Sequence, residues 1–422
     1  MARDADEGPV GTGGAGTDRS EGFGERLLGD LLDRAHEMPP HLIAPLIAEE
    51  VGRVGGRKVS ILLQDYAQLL LVPLPGKGLY GAETEPIADS PAGSAFLRGV
   101  PVEIREKHGV RMYLPLLDGS DQVGVLALTL DSVDDDDRRL LGRLSGLVAD
   151  MLVTKNGYTD QFFQARRREP MSLAGEIQWS LLPPLAMSVP QAEVAGILEP
   201  AYDVAGDSFD YALNGNMLHA AMLDAVGHGV RAANIATIAL GAYRHARRLP
   251  SDLPDTYSAM DEAIRELFGP EHFVTAQMMR LNISDGSLEY VNAGHPSPLL
   301  VREGRVLGNL EAPTALPVGL GGDPPEISEH RLRPGDRVLC FTDGLIEVNP
   351  RGAAPDFDEE RFAELVDRVH RAGDGLRGTV RALSHTLRQS RGWVTADDAT
   401  LFMLEWRGGQ DTSAVDELEG PR

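Results

Sequence analysis

The chain opens with apolar residues at helical spacing. Leu27, Leu28, Leu31 and Leu32 predict a helix over Arg26 to His36. After the Pro39-Pro40 break, Ile43 to Val51 predicts a second helix. The texture then turns strand-like. Val59 to Leu63 and Gln68 to Val72 read as paired strands around Gln64-Asp65-Tyr66. Arg111 to Leu117 and Gln122 to Leu130 read as a second pair, joined by Asp118-Gly119-Ser120-Asp121. Asp134 to Asp137 puts negative charge at the start of a helix from Arg138 onward, where the helix dipole favours it. That helical pattern extends toward Leu182, ahead of Pro183-Pro184, with Gly157 and Pro170 predicting breaks inside it. Met171, Leu173, Ile177, Leu181 and Leu182 form a stripe that suits either a homodimer seam or packing on the chain's own next domain.

From Gln191 strands dominate. Val194 to Ala201, Ser208 to Leu213 and Met217 to Asp224 are β-like, with Asn214-Gly215 as a hairpin turn. Helices are predicted over Arg231 to Arg248 and Thr256 to Phe268. Phe273 to Ile283 with Ser287 to Asn292, and Leu299 to Val301 with Arg305 to Leu310, read as hairpins. Arg337 to Phe341 reads as a buried strand, Glu359 to Arg371 and Leu376 to Gln389 as helices, and Ala399 to Trp406 as a closing strand. Helix pairs set between groups of antiparallel strands predict an α+β class, with sheets covered by helices.

Length changes this picture by requiring more than one core, since the chain has 422 residues. The expected division is a disordered tail over 1–22, a first domain over 23–155, a helical linker over 156–188, a second domain over 189–407 and a loose tail over 408–422. The formal net charge is −24, which argues against general nucleic-acid binding and against an anionic membrane surface, because both need a basic face. The lone cysteine, Cys340, excludes an internal disulfide and lies in an apolar strand. No stretch approaches the roughly 20 apolar residues of a membrane span, and the expectation is a soluble, cytoplasmic protein.

Candidate chemistry concentrates in acidic motifs at strand edges. They are Ala205-Gly206-Asp207, Asp224-Ala225-Val226-Gly227-His228-Gly229, Thr342-Asp343-Gly344 and Asp397-Asp398-Ala399-Thr400. Singly, an Asp-Gly pair is usually a turn. Together the motifs describe carboxylates that repel one another and that a divalent cation would reconcile. An all-oxygen set suits Mg²⁺ or Mn²⁺, and the histidines show no zinc-ligand spacing.

This order of motifs resembles the SpoIIE-type, RsbU-like branch of the metal-dependent PPM protein phosphatases. Gln178-Trp179-Ser180-Leu181-Leu182-Pro183, Asn292-Ala293-Gly294-His295-Pro296 and Leu316-Pro317-Val318-Gly319-Leu320 support the resemblance, which spans residues 175–406. The first domain resembles a GAF-type sensor through its helices, small sheet and the late strand Val123-Gly124-Val125-Leu126-Ala127-Leu128. A PAS-like or purely structural domain is the alternative there.

The resemblance implies an α-β-β-α sandwich of two antiparallel sheets with metals in a cleft at one end. It implies two Mn²⁺ or Mg²⁺ ions held by Asp207, Asp224, the Ala225 carbonyl, Asp343 and Asp397. It implies that Asp224 bridges the ions and that catalysis depends on Asp207 and Asp224, with Asp398 as a second candidate beside Asp397. It also implies a substrate, a phosphorylated STAS-type anti-sigma-factor antagonist in a partner-switching pathway, hydrolysed at phosphoserine or phosphothreonine. His228 stands four residues after Asp224. Eukaryotic relatives place a catalytic histidine nearer that position, so His228 is read as a loop-shaping residue. Two rival functions are a non-catalytic sensor or scaffold and a phosphohydrolase of small esters.

Overall fold

The structure, a computed structural model, describes residues 21–119, 121–345, 359–370, 375–390 and 398–409. The expected tails fall almost wholly outside these residues, and Asp397 falls outside them too. The chain divides into two compact units: Met1–Leu63, Leu71–Asp118 and Val123–Ala165 in one, and Gln64–Leu70, Gly119–Gln122 and Arg166–Arg422 in the other.

The first unit runs α1 (Glu21–Glu37), α2 (Pro40–Arg53), β1 (Arg57–Gln64), β2 (Leu70–Pro73), β3 (Glu85–Pro86), α3 (Pro91–Arg98), β4 (Val102–Glu106), β5 (Gly109–Asp118), β6 (Asp121–Leu130) and α4 (Asp135–Asn156). Its strands form one sheet in the order β3-β2-β1-β6-β5-β4. Ile61, Leu62 and Leu63 are all buried whatever their parity, so both faces of the sheet are covered. On one face Leu62, Leu71 and Val125 pack on Phe96 of α3. Helices α1 and α4 meet through Leu27 and Leu140. Asp134 and Asp137 form a capping box at the start of α4, and the helix stops at Gly157. Thus the long helical pattern breaks at Gly157, continues as α5 (Gln161–Arg166), breaks again around Pro170, and resumes as α6 (Leu173–Leu181).

After α6 come β7 (Ala186–Val189), β8 (Ala192–Glu199), β9 (Asp207–Asn214), β10 (Met217–Ala225), α7 (Gly229–Arg247), α8 (Leu253–Phe268), β11 (Val274–Asn282) and β12 (Ser287–Ala293). Then follow β13 (Leu299–Arg302), β14 (Arg305–Asn309), β15 (Thr314–Ala315), β16 (Ser328–Arg331), β17 (Asp336–Phe341), α9 (Glu359–His370), α10 (Leu376–Ser390) and β18 (Ala399–Trp406). One sheet has the order β15-β12-β11-β10-β9 with β16 beside β12, and the other β14-β13-β17-β18-β8-β7. The pairings are antiparallel except for the short parallel β12–β15 contact.

Strand alternation sorts the side chains into layers. Phe209, Tyr211, Met222, Leu281, Val338, Cys340, Phe402 and Leu404 fill the space between the sheets. Burying each of the large side chains is worth about 1.5–3 kcal/mol. Leu223, Ala276 and Met278 point outward beneath Ile235 and Ala239 of α7 and Met260 and Ile264 of α8. Leu339, Leu401 and Met403 point outward beneath Phe362 of α9 and Val380 and Leu383 of α10. The result is the helix-sheet-sheet-helix sandwich expected for this half of the chain.

Candidate metal centre at one end of the sandwich

The same alternation builds the site. Phe209 and Tyr211 on β9, Ala220 and Met222 on β10, Val338 and Cys340 on β17, and Phe402 and Leu404 on β18 face the inter-sheet core. Counting two residues further along each series reaches Asp207, Asp224, Thr342 and Thr400, with Asp398 one step beyond. At this end the apolar filling gives way to carboxylates and hydroxyls.

Asp207 and Asp224 are register partners across β9 and β10. The Ala225 amide donates to the Gly206 carbonyl at 3.2 Å. A Cβ on Gly206 would stand 2.6 Å from the Ala225 carbonyl oxygen and 3.4 Å from Asp224 Oδ1, so only glycine lets the two edges close. Thr342, fully buried, donates its hydroxyl to Asp207 Oδ2 at 2.7 Å and accepts from the Thr400 amide at 2.9 Å. Asp398 Oδ2 accepts from the amides of Ala205 at 2.8 Å and Gly206 at 2.7 Å, with the Asp207 amide at 3.4 Å. Asp343 opens a short 3₁₀ turn over Asp343–Leu345 and is half-buried. The next residue, Gly344, lies against the Asp398 carbonyl, which a Cβ would approach to 1.8 Å.

The electrostatics follow from crowding. Burial pushes the Asp207 carboxyl well above the usual carboxylate range, and the charges of Asp224 and Asp398 push it further; the Thr342 hydrogen bond acts in the opposite direction. Carboxylates crowded in this way, beside a backbone carbonyl, make an all-oxygen donor set of the kind a hard divalent cation satisfies. Among the described residues no group of three or more His, Cys, Asp or Glu side chains is already arranged to hold a metal. Asp398 has turned one oxygen into backbone amides, and Asp397 lies outside those residues.

Of the residues singled out from sequence, Asp207, Asp224, Ala225 and the Asp343 turn therefore meet at one end of the sandwich. His228 is exposed at the N-cap of α7 and makes no side-chain capping bond. His295 is buried in a tight turn: Asn292 accepts from the His295 amide and donates to its carbonyl, both at 2.8 Å. Its Nε2 bonds the Phe341 carbonyl at 3.2 Å and its Nδ1 the Thr275 hydroxyl at 2.8 Å. A carbonyl only accepts, so Nε2 carries the proton and Nδ1 receives the Thr275 hydroxyl. Burial pushes the Cys340 thiol upward, as expected of a core residue.

Sequence reasoning did not find the parts played by Thr342 and Gln178. Thr342 was legible in principle, being in phase with the inward-facing Cys340. Gln178, wholly buried on α6, donates its side-chain amide to the Ala205 carbonyl.

Residues 214–407 match the family model for Stage II sporulation protein E (SpoIIE). The chain is 26% identical over 196 residues to the phosphoserine phosphatase RsbP of Bacillus subtilis, covering 44% of this chain and 47% of that protein. It is 23% identical over 253 residues to the phosphoserine phosphatase RsbU of the same organism, covering 57% of this chain and 71% of that one. The alignment thus takes in about half the length of RsbP. Among solved structures, the RsbU and RsbW domains of Rv1364c from Mycobacterium tuberculosis align with a TM-score of 0.46 at 30% identity, over 53% of this chain and 63% of that one. The SiaA-PP2C domain of Pseudomonas aeruginosa aligns with a TM-score of 0.47 at 22% identity, over 55% of this chain and 94% of that one. Among the described residues no helix is long and apolar enough to cross a membrane.

Proposed function

We propose, from the premise that the C-terminal unit carries a SpoIIE-type domain of the PP2C/PPM phosphatases, that the chain is a divalent-metal-dependent protein phosphatase acting on phosphoserine or phosphothreonine. The observation that supports this most is the register pairing of Asp207 with Asp224 beside Asp398, which gathers repelling carboxylates at one open end of a sandwich.

Asp207, Asp224, Asp343, Asp397 and the Ala225 carbonyl would hold a pair of Mn²⁺ or Mg²⁺ ions. When bound, such a pair makes a water acidic enough to act near neutral pH and offers positive charge to a phosphoryl group. The chain's own residues prepare the place. Thr342 fixes the rotamer of Asp207 through Oδ2. Asp398 pins the Ala205-Gly206 backbone, so the entry to β9 keeps its position beside Asp224. Gly206 and Gly344 keep side-chain bulk out of the seam. The lone cysteine takes no part, being buried in the inter-sheet core.

The substrate we propose is a phosphorylated STAS-type anti-sigma-factor antagonist, released from phosphate in a partner-switching pathway, with the first unit acting as a sensor that gates turnover. Release of inorganic phosphate from a panel of phosphorylated STAS proteins, with and without Mn²⁺, tests this. Metal-dependent release by the native chain and its loss in Asp343→Asn are expected. Metal-independent release, or equal release by the variant, would overturn the reading.

A further inference from the structure

The motif Gln178-Trp179-Ser180-Leu181-Leu182-Pro183 contributes no ligand to the site, yet it grips the segment that does. Three side-chain or backbone donors tie α6 and its N-cap to the segment 201–208. The Ser172 amide donates to the Tyr202 carbonyl at 2.9 Å, and Trp179 Nε1 donates to the Ala201 carbonyl at 2.6 Å. Gln178 Nε2 donates to the Ala205 carbonyl, while Gln178 Oε1 accepts from the Ser208 hydroxyl at 3.4 Å. Ala174 of α6, Ala205 and Ala232 and Ala233 of α7 pack together, and their small side chains let the helix come this close.

The two bonds of Gln178 fall on either side of Asp207, at Ala205 and at Ser208. Ala205 is held from both directions: its carbonyl by Gln178, its amide by Asp398. Gln178 is wholly buried, and its amide both donates to a carbonyl and accepts from a hydroxyl; a carboxylate of the same length cannot donate and an aliphatic chain can do neither. We infer that Gln178 is a positioning residue for the metal centre: it sets the Ala205–Ser208 backbone so that Asp207 stands where the cations need it, acting through that backbone without touching the ions. This rests on the reading of the site given above. Groups that orient ligands in this way commonly change metal affinity by about 10–100-fold when removed.

The test is Gln178→Met in the full chain, which keeps the volume and removes both hydrogen bonds. Two quantities are read: the Mn²⁺ concentration giving half-maximal phosphate release, and the rise in melting temperature on adding Mn²⁺ in the absence of substrate. The expected result is a half-saturation about tenfold higher and a smaller Mn²⁺-induced rise, with turnover at saturating Mn²⁺ close to native. An anchor for α6 alone would lower the metal-free melting temperature and leave both metal readouts unchanged, and that result would overturn the inference. Ser208→Ala, which removes only the longer contact, serves if Gln178→Met does not fold. It should shift half-saturation in the same direction by a smaller factor, and no shift would again overturn the inference. Asp224→Asn in the same assay separates the two claims. If Asp224→Asn keeps native metal dependence, the metal site itself is misplaced; if it loses Mn²⁺ binding while Gln178→Met is native, only the role of Gln178 fails.

Discussion

Asp207 and Asp224 sit directly opposite each other at the ends of β9 and β10, one buried and one half-buried, with the Gly206 backbone closing the gap between them. Like charges in that relation destabilise the metal-free fold, because each raises the free energy of the other's ionised form. The pairing has consequences that can be measured.

Asp224→Asn removes one charge and keeps the shape. In EDTA the variant should melt higher than the native chain, by about 2–4 °C for each 1 kcal/mol of repulsion relieved. Phosphate release should fall to background. Differential scanning fluorimetry beside a phosphate assay checks both, and a variant that melts lower in EDTA would speak against mutual repulsion at the site.

Metal addition should act in the opposite sense. Mn²⁺ at about 100 times its dissociation constant should stabilise the native chain by about 2.7 kcal/mol, since the site belongs to the folded state. Asp224→Asn should show little of that rise. Equal Mn²⁺-induced shifts in the two proteins would place the cation elsewhere.

Thr342→Val deletes a hydroxyl that donates to Asp207 and accepts from the Thr400 amide. Leaving those buried groups unpaired should cost about 1–3 kcal/mol. Thr342→Ser keeps the hydroxyl and should recover most of it. Urea unfolding of the pair decides; a loss in Thr342→Ser with none in Thr342→Val would show that the methyl, not the hydroxyl, matters.

Gly344→Ala would drive a Cβ to 1.8 Å from the Asp398 carbonyl oxygen, a contact that only backbone movement can relieve. Loss of phosphate release with a melting temperature lowered by several degrees is expected. A fully active, fully stable Gly344→Ala would mean that the Asp343 turn does not lie against Asp398.

Acid should loosen the fold through His295. Burial holds its imidazole down to about 4, against an ordinary histidine value of about 6.5. The unfolded chain therefore binds a proton that the folded chain refuses between those two values, so stability rises with pH across that window and falls as pH drops from about 6.5 toward 4. His295→Gln should flatten this part of the profile in urea titrations at successive pH values. An unchanged slope would assign it to other groups. His219, also lowered to about 4 chiefly by burial, is one of these.

The second unit was largely legible because its central strands are nearly continuous apolar runs, buried on both faces and punctuated by Asn-Gly and Asp-Gly turns, and its helices bury one face. Gly157 and Pro170 marked the helix breaks correctly, since one favours a helix end and the other forbids a continuous hydrogen-bond ladder. Strands β4 and β16 escaped because they are mostly exposed and polar, with no buried series to betray them. Helix α3 escaped because it has only eight residues, although Ser90 caps it. Within the site, Asp-Gly motifs exposed the ligands, but the supporting bonds join residues such as Ala205 and Asp398 that no local spacing connects. Gln178 stood out as the first residue of a motif carrying the family resemblance, but its role did not; its partners come from a loop that only the tertiary fold brings near.

Asp398 reaches back to amides 193 and 192 residues earlier in the chain, and β18, which begins at the next residue, lies between β17 and β8 in the middle of its sheet. A growing polypeptide halted before Asp398 has β8 and β17 but nothing to join them, and its Ala205-Gly206 amides lack their acceptor. Assembly of the centre is thereby tied to the docking of β18, so the Asp207 end of the sandwich cannot take its finished form in a chain that stops short of that strand.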